Sequence, residues 1–545
     1  MRGNASFRRK IIYLSVMALL LAPLSYISRP SSVDTSGTFK EGGILSQQRT
    51  KYNLAQASLG DIDPASESMK LATLGMRGVA ANILWEKAIN YQKKEDWDNL
   101  KATLNQIAKL QPNFISVWKY QAWNLSYNVS VEFDNYKHRY HWVKKGIEFL
   151  MEGIRYNRNE PRLLWDLGWF FGHKIGRSDE YRQFRREYRE DRDFHDSLTV
   201  PNRDETYGVD DKPDNWLTAR QWFLEAQRVV EKENVPIRGQ NPLVFHSDPP
   251  KTLIRYAEAM EEDGYFDQRA ALAWANADQD WKKYGDRDIP TSYGYMIHLN
   301  DQEQWEQRVA SRNQQLDDLL PGLRASLEQD RRASLTDRER DLVERGKLRW
   351  GPDEFSEGGL AVDKATVTVE DIVAAAPVEK KVEARRLSSQ INEANSYSTT
   401  VRRYRDVVNF IYWRTRCEVE QTDQALQGRE FLFSAGQALD AARLEDAKRF
   451  YEACWDRWSK IHAEHPELAD DVTSEDLVDA IKRYSTLMGQ MDEPFPPPGF
   501  KMLDLVLAHK EDFSLTDEQI AIARSAPPKD AEADERPGDD DSTHN

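Results

Sequence analysis

Four potential metal ligands stand close together in the stretch EFDNYKHRYH at 132–141. These are Glu132, Asp134, His138 and His141. Carboxylate and imidazole groups both bind zinc, but zinc sites on a helix typically use two histidines at i and i+4 with another ligand elsewhere. The two histidines here are only three positions apart. We therefore expect helix capping and surface hydrogen bonds in this stretch, and we predict no metal site.

A group of arginines is a candidate anion-binding site. It comprises Arg182, Arg185, Arg186 and Arg189, which follow one side of a predicted helix with aromatic residues between them. Guanidinium groups bind phosphate and carboxylate well. Three acidic residues in the same stretch reduce the positive potential, which favours a salt-bridged helix face over a site for phosphate or an acidic peptide.

The third group consists of large rings, and it begins in the stretch NFISVWKYQAWNLSYNV at 113–129. The candidate residues are Trp118, Trp123, Tyr127, Trp165 and Trp169. Exposed rings of this kind could stack on sugars beside a pair of acid/base carboxylates, or they could bind a protein. The apolar residues of the stretch instead form two adjacent helical stripes, which require neighbouring helices on both sides. Packing or protein binding is therefore the expected role.

Familiar catalytic motifs are absent from the sequence. It contains no GxGxxG, GxxxxGK[ST], GxSxG or HExxH, so nucleotide-dependent and common hydrolase chemistries have no local support. With only Cys417 and Cys454, zinc ribbons and haem-attachment motifs are also excluded. A net charge of −16 argues against nucleic-acid binding. We predict no catalytic activity and no cofactor.

The N-terminus contains a predicted membrane segment. Basic residues precede the apolar run IIYLSVMALLLAPLSYI at 11–27, which is near the shortest length that spans a bilayer and exceeds the usual apolar part of a signal peptide. No A-x-A-like pair follows it, which favours an uncleaved signal anchor over a cleaved signal peptide. Because basic flanks stay in the cytoplasm, the rest of the chain is expected on the extracytoplasmic, periplasm-like side.

Amphipathic helices are predicted to position the aromatic and arginine groups. From Met69 onward, apolar residues recur at mostly three to five positions, as on one face of a helix. The segments 304–350 and 379–427 are typical of long charged helices, with Arg and Glu at helical spacing. Strand candidates are few. The best, KATVTVEDIV, fits a helix beginning at Thr368 equally well. The sequence thus indicates an all-α chain.

Three stretches resemble tetratricopeptide repeats. In LQPNFISVWKYQAWNLSY, Pro112 stands where one helix pair of that family closes and Trp118 where the next opens. The stretch YNRNEPRLLWDLGWFF is similar, with Pro161 followed by Trp165 and a Leu-Gly pair, and the third stretch is FLFSAGQALDAARLEDAKRFYEACWDRWSKIHAEHP. The resemblance implies a right-handed helical solenoid whose concave face binds proteins or peptides. Because the two prolines are farther apart than the family period of about 34 residues, we expect an insertion at 130–142.

Composition predicts the domain boundaries. The expected segments are a signal anchor at 1–30, a flexible tether at 31–66, tetratricopeptide-like repeats at 67–195, a middle helical region at 196–350, a linker at 351–378, a C-terminal helical region at 379–492, a proline-rich spacer with short helices at 493–524, and a disordered acidic tail at 525–545. The sequence favours a membrane-anchored scaffold of the cell envelope that binds a protein partner. The alternative is an envelope protein that binds or processes glycans. Exposed tryptophans beside two carboxylates would favour the alternative.

Overall fold

A computed structural model describes residues 77–469 and 472–526, together with scattered positions between 15 and 48. Most of the predicted anchor and tether, the first residues of the predicted repeats and the tail from 527 onward lie outside the described residues. Within the tether, Ser32–Val33 (β1) pairs antiparallel with Phe39–Lys40 (β2). None of the described helices is both long enough and apolar enough to cross a bilayer.

Helices account for nearly all the regular structure in the described part of the chain, which confirms the all-α prediction. The chain divides into two compact units, 1–252 and 253–545, and the division falls inside the predicted middle region. The helices of the first unit are α1 Arg77–Lys93, α2 Trp97–Leu110, α3 Ile115–Trp123, α4 Tyr136–Tyr156, α5 Pro161–Trp169, α6 Tyr181–Glu190, α7 Arg192–Ser197 and α8 Asn215–Lys232; α9, Pro242–Glu262, contains the division.

Three helix pairs build the first unit: α1 packs on α2, α3 on α4, and α5 on α8. The expected insertion at 130–142 is wrong, because that segment is only a short turn and the start of α4. The large spacing between Pro112 and Pro161 arises from long helices, since α4 alone has 21 residues. The observed insertion lies between α5 and α8, where α6 and α7 interrupt the third pair.

Local sequence signals explain where several of these helices begin. The side chain of Asp96 accepts a hydrogen bond from the Asn99 amide at the start of α2, and Asn135 does the same for the Lys137 amide at the start of α4. Glu160 caps α5, and Pro161 occupies its first turn. These contacts satisfy backbone N–H groups that lack partners within the helix.

A wide π-helical turn continues each of α3 and α5. We call Asn124–Val129 the first π-turn and Phe170–Ile175 the second π-turn. Each follows a nine-residue α-helix directly, so the two turns occupy equivalent places in successive helix pairs. A π-turn rotates the side chains that follow it, and such turns occur frequently at functional sites.

Large rings packed on glycines hold the helix pairs of the first unit together. Trp118 is buried, its indole N–H donates to the Pro112 carbonyl oxygen over 2.8 Å, and its ring lies on Gly153 of α4, where an added Cβ would stand 2.7 Å from the ring. Phe223 of α8 covers Gly168 of α5 in the same way, again at 2.7 Å. Absence of a side chain at these glycines permits the close approach of the helices.

The second unit is also built from helices. They are α10 Gln268–Gly285, α11 Gln302–Leu319, α12 Leu323–Ala333, α13 Asp337–Arg345, α14 Phe355–Ala365, α15 Val369–Ala375, α16 Lys381–Val408, α17 Phe410–Glu420, α18 Asp423–Asp440, α19 Leu444–Glu464, α20 Val472–Gln490, α21 Leu503–Ala508, α22 Lys510–Phe513 and α23 Asp517–Arg524, with the short strands β3 Ile289–Pro290 and β4 Met296–Ile297. The third repeat-like stretch forms the hairpin of α18 and α19, and α11 packs on α16.

The segment 351–378, predicted as a linker, contains α14 and α15. Its strand-like residues belong to α15, because the Thr368 hydroxyl accepts a hydrogen bond from the Asp371 amide and the Asp371 carboxylate accepts one from the Thr368 amide. This capping box fixes the helix start. Capping boxes also begin α13 at Thr336 and α23 at Thr516.

We expect Trp118→Ala to lower the free energy of unfolding by about 3–5 kcal/mol, because it removes a buried ring and leaves a cavity beside Gly153. Urea unfolding followed by far-ultraviolet circular dichroism measures the change. Trp123→Ala is the matched control, because Trp123 is 45% exposed and its removal should cost less than about 1 kcal/mol. Equal effects of the two substitutions would contradict this account of the packing.

Candidate binding site on the first helical unit

The five rings singled out in the sequence divide into two groups by exposure. Trp118 is buried and serves packing. Trp123 and Trp169 are 45% and 39% exposed, and Tyr127 and Trp165 are half-buried. The exposed and half-buried rings lie on α3, α5 and the first π-turn, so they belong to the opening helices of two successive pairs.

These rings stack along their own helices because they recur every four residues. Trp123 stacks on Tyr127 with centroids 5.8 Å apart. On α5, Trp165 stacks on Trp169 at 5.4 Å, and Trp169 stacks on His173 of the second π-turn at 4.3 Å. We call these five side chains the aromatic strip. His173 was not predicted, although its position four residues after Trp169 was a usable signal.

The two rows of the aromatic strip meet at the π-turns. The ring of Tyr127 contacts Phe170 edge to face at 6.0 Å between centroids. The indole N–H of Trp169 donates toward the Tyr127 hydroxyl, and this contact lowers the pKa of Tyr127. Burial has the larger effect and raises this pKa to about 12. Rings from two different helix pairs therefore form one continuous surface.

Stacking determines what this surface offers to a ligand. Trp169 has Trp165 on one face and His173 on the other, with interplanar angles of 20° and 10°. A ring covered on both faces presents its edge to solvent, and ring edges carry partial positive charge. Such edges suit apolar side chains and peptide carbonyl oxygens, whereas a sugar stacks on an open ring face.

Two carboxylates lie beneath the strip. Neither was among the residues predicted from the sequence. The Asp166 carboxylate is buried and lies 3.1 Å from the Lys119 ammonium. Burial raises the pKa of Asp166 to about 6. Asp248 accepts a hydrogen bond of 2.6 Å from the Trp165 indole N–H, and burial also raises its pKa to about 6. A single acid within the apolar stretch WDLGW was the available signal for Asp166.

A buried ammonium lies under the same surface. Lys174 of the second π-turn is 5% exposed. Its Nζ atom lies 4.7 Å from the ring centroid of Tyr127 and 5.8 Å from that of Phe184. Burial lowers the pKa of Lys174, and nearby Glu180 raises it. Lysine is usually solvent-exposed, so no sequence pattern predicted its burial.

The four candidate arginines lie on α6. Their surroundings differ: Arg182 donates to the Tyr181 hydroxyl, Arg186 donates to the Tyr136 hydroxyl, Arg189 pairs with Asp210 at 2.5 Å, and Arg185 is buried. Salt bridges and tyrosine contacts therefore occupy much of this helix face.

The histidines and cysteines have ordinary packing roles. His138 stacks on Phe133 at 6.0 Å, and in the described part of the chain no group of three or more His, Cys, Asp and Glu side chains is placed to hold a metal ion. Cys417 and Cys454 are both buried as free thiols. Burial raises the pKa of each thiol, which disfavours the reactive thiolate.

Comparison with known proteins adds no family assignment. No protein-family model matches the chain, and a search of curated proteins finds no match. The fold and the site therefore define the class directly: an all-α protein of packed helix pairs that presents a stacked aromatic surface.

The raised pKa of Asp166 predicts a pH dependence of stability. Because its pKa rises from 3.8 to about 6 on folding, the folded chain binds more protons between these values. The stability that protonated Asp166 contributes is fully present below about pH 4, and it is lost as the pH rises through 6. Between pH 4 and 7 the wild type should therefore lose about 3 kcal/mol more stability than Asp166→Asn.

Urea unfolding at several pH values tests this expectation, and the difference between wild type and variant cancels the other titrating groups. Asp193→Asn is the control, because Asp193 lies on the exposed side of α7. Parallel stability curves for the wild type and Asp166→Asn would show that burial does not raise this pKa.

Proposed function

We propose that this chain is a membrane-anchored, tetratricopeptide-like scaffold that holds a partner protein on the extracytoplasmic side. The aromatic strip is the observation that carries the proposal. Soluble proteins seldom expose contiguous apolar surface without using it for binding. Tryptophan and tyrosine are also the residues most enriched at the energetic centres of protein interfaces.

The position of the strip supports a peptide-like ligand. It runs along α3 and α5, the opening helices of successive pairs, and the corresponding helices of tetratricopeptide repeats line the concave face. Ring edges and half-buried rings suit an extended segment, whose apolar side chains contact the rings while its carbonyl oxygens meet their edges. The partner is therefore expected to contribute an extended segment to the strip.

The membrane part of the proposal comes from the sequence alone. The apolar run at 11–27 and its basic flank support a signal anchor that places the helical units outside the cytoplasm. The net charge of −16 continues to argue against a nucleic-acid partner.

A non-catalytic role fits the state of the two carboxylates. Asp166 is engaged by Lys119 and Asp248 by the Trp165 indole. The first contact holds Lys119 in place beside the strip, and the second holds the Trp165 ring of the strip. A general acid or base needs an open path to its substrate, and buried carboxylates with such partners do not supply one.

Glycan binding or processing is the second candidate, and one observation favours it. Trp123 and Trp169 are exposed, and two carboxylates with raised pKa lie close behind the strip. The stacked arrangement weighs against this candidate, because the faces of Trp169 are covered by neighbouring rings. Titration of the purified chain with cellohexaose, followed by tryptophan fluorescence, separates the two candidates. Saturable quenching would favour the glycan function.

The scaffold function is tested by crosslinking in intact cells and purification of the full-length chain with its partner. We expect the double variant Trp123→Ala/Trp169→Ala to recover at least about tenfold less partner, because each ring removed from an interface centre typically costs 1–2 kcal/mol or more. The midpoint of urea unfolding should stay close to that of the wild type, since both rings are exposed.

Tyr293→Ala is the matched control, because Tyr293 is an exposed aromatic residue of the second unit. Its partner recovery should equal that of the wild type. Undiminished recovery by the double tryptophan variant would refute the aromatic strip as the binding surface.

A further inference from the structure

Lys174 is a buried cation without an anionic partner in the structure. A lysine ammonium has three N–H donors. In the described part of the chain, the contacts of the Lys174 ammonium are the ring faces of Tyr127 and Phe184, and no hydrogen bond or ion pair to it is present. Aromatic faces attract a cation, but they replace only part of the hydration that burial removes.

The nearest acidic group is already engaged. Glu180 interacts electrostatically with Lys174, but its carboxylate forms an ion pair and hydrogen bond with Arg139. Arg139 in turn repels the ammonium and opposes the effect of Glu180. Asp179 also attracts the ammonium, but neither acidic side chain forms an ion pair with Lys174 in the described part of the first unit.

A further donor belongs to the Tyr127 ring that this ammonium contacts. The Tyr127 hydroxyl is buried and has no hydrogen-bond partner that meets normal geometry. The Trp169 indole N–H lies toward the same hydroxyl, and an indole can only donate, so the phenolic proton still lacks an acceptor. The Tyr127 O–H group therefore lacks an acceptor on the same ring that the Lys174 ammonium contacts. A negatively charged acceptor would satisfy both donors together.

We infer that Lys174 and Tyr127 form a carboxylate-binding site beneath the aromatic strip, that the Trp169 indole orients the Tyr127 hydroxyl, and that the partner's extended segment supplies an Asp or Glu side chain to the site. This inference rests on the proposed scaffold function. Half-buried Tyr127 and exposed Trp169 form the entrance. The surrounding strip explains why the carboxylate comes from a peptide: a chain with net charge −16 repels free anions, whereas contacts with the rings hold a tethered acid in place.

A pair of small probes tests the carboxylate preference. N-acetylphenylalanine carries an aromatic ring and a carboxylate, and N-acetylphenylalaninamide replaces the carboxylate by a neutral amide. Titration of the full-length chain, followed by tryptophan fluorescence, should give about tenfold or greater preference for the acid, the usual effect of a charged hydrogen-bond partner. In Lys174→Met most of this preference should be lost. Lys145→Met, at an exposed lysine paired with Glu148, should keep the wild-type preference.

A second pair of measurements separates binding from structure. Lys174→Met should unfold at a midpoint equal to or higher than that of the wild type, because it replaces a buried charge without an ion pair by an apolar side chain of similar length. If that variant fails to fold, Tyr127→Phe removes only the hydroxyl and should reduce the acid preference about threefold or more. A purely structural cation would instead give a destabilised Lys174→Met variant and leave the probe preference of Tyr127→Phe unchanged.

Other results would overturn the inference. Equal binding of both probes by the wild type, no binding of either, or an unchanged preference in Lys174→Met would each exclude the site. Stronger binding of glucuronate than of N-acetylphenylalanine would assign the carboxylate to a glycan and not to a peptide. Wild-type recovery of the crosslinked partner by Lys174→Met would remove the carboxylate site while leaving the scaffold function intact, which the tryptophan variants test separately.

Discussion

Both units depend on the same packing device, in which a large ring of one element lies directly on a glycine of another. In the first unit Trp118 lies on Gly153 and Phe223 on Gly168. In the second unit Phe410 lies on Gly285, where an added Cβ would stand 2.5 Å from the ring. A ring removes much apolar surface from water, and a glycine lets the backbone approach it closely. A methyl group at such a contact would force the helices apart.

These ring–glycine contacts also explain why the rings of the aromatic strip can stay outside the core. The pairing of helices is already secured by Trp118, Phe223 and the other buried rings, so Trp123 and Trp169 are not needed to close the core. The two π-turns then place Tyr127 and His173 in line with these tryptophans. Beneath the strip, Asp166 forms an ion pair with Lys119, and Asp248 accepts a hydrogen bond from the Trp165 indole. Surface aromatic residues thus acquire fixed orientations from buried contacts, a condition for specific recognition.

Sequence periodicity predicted the helices but not their partners. Turn and capping residues such as Pro112 and Thr368 act over a few positions, so they could be identified directly. The predicted insertion was misplaced because helix length and insertion produce the same spacing between Pro112 and Pro161. The strip was predicted in part, since apolar spacing does not distinguish a ring that packs from a ring that is exposed. Lys174 could not be predicted, because its burial depends on Tyr127 and Phe184 from two other segments.

The buried cations of the second unit differ from Lys174 in the groups that they contact. Arg416 pairs with Glu258 at 2.7 Å, Arg429 pairs with Glu420 at 2.5 Å, and the Arg405 guanidinium donates to the Glu303 carboxylate at 3.0 Å. Each of these buried guanidinium groups has a carboxylate of its own chain, as the cost of burying charge requires. Lys174 is buried to a similar degree, but its contacts are ring faces. Since the second unit pairs these deeply buried cations internally, an ammonium beside the aromatic strip without an ion pair is better explained by the proposed ligand than by packing.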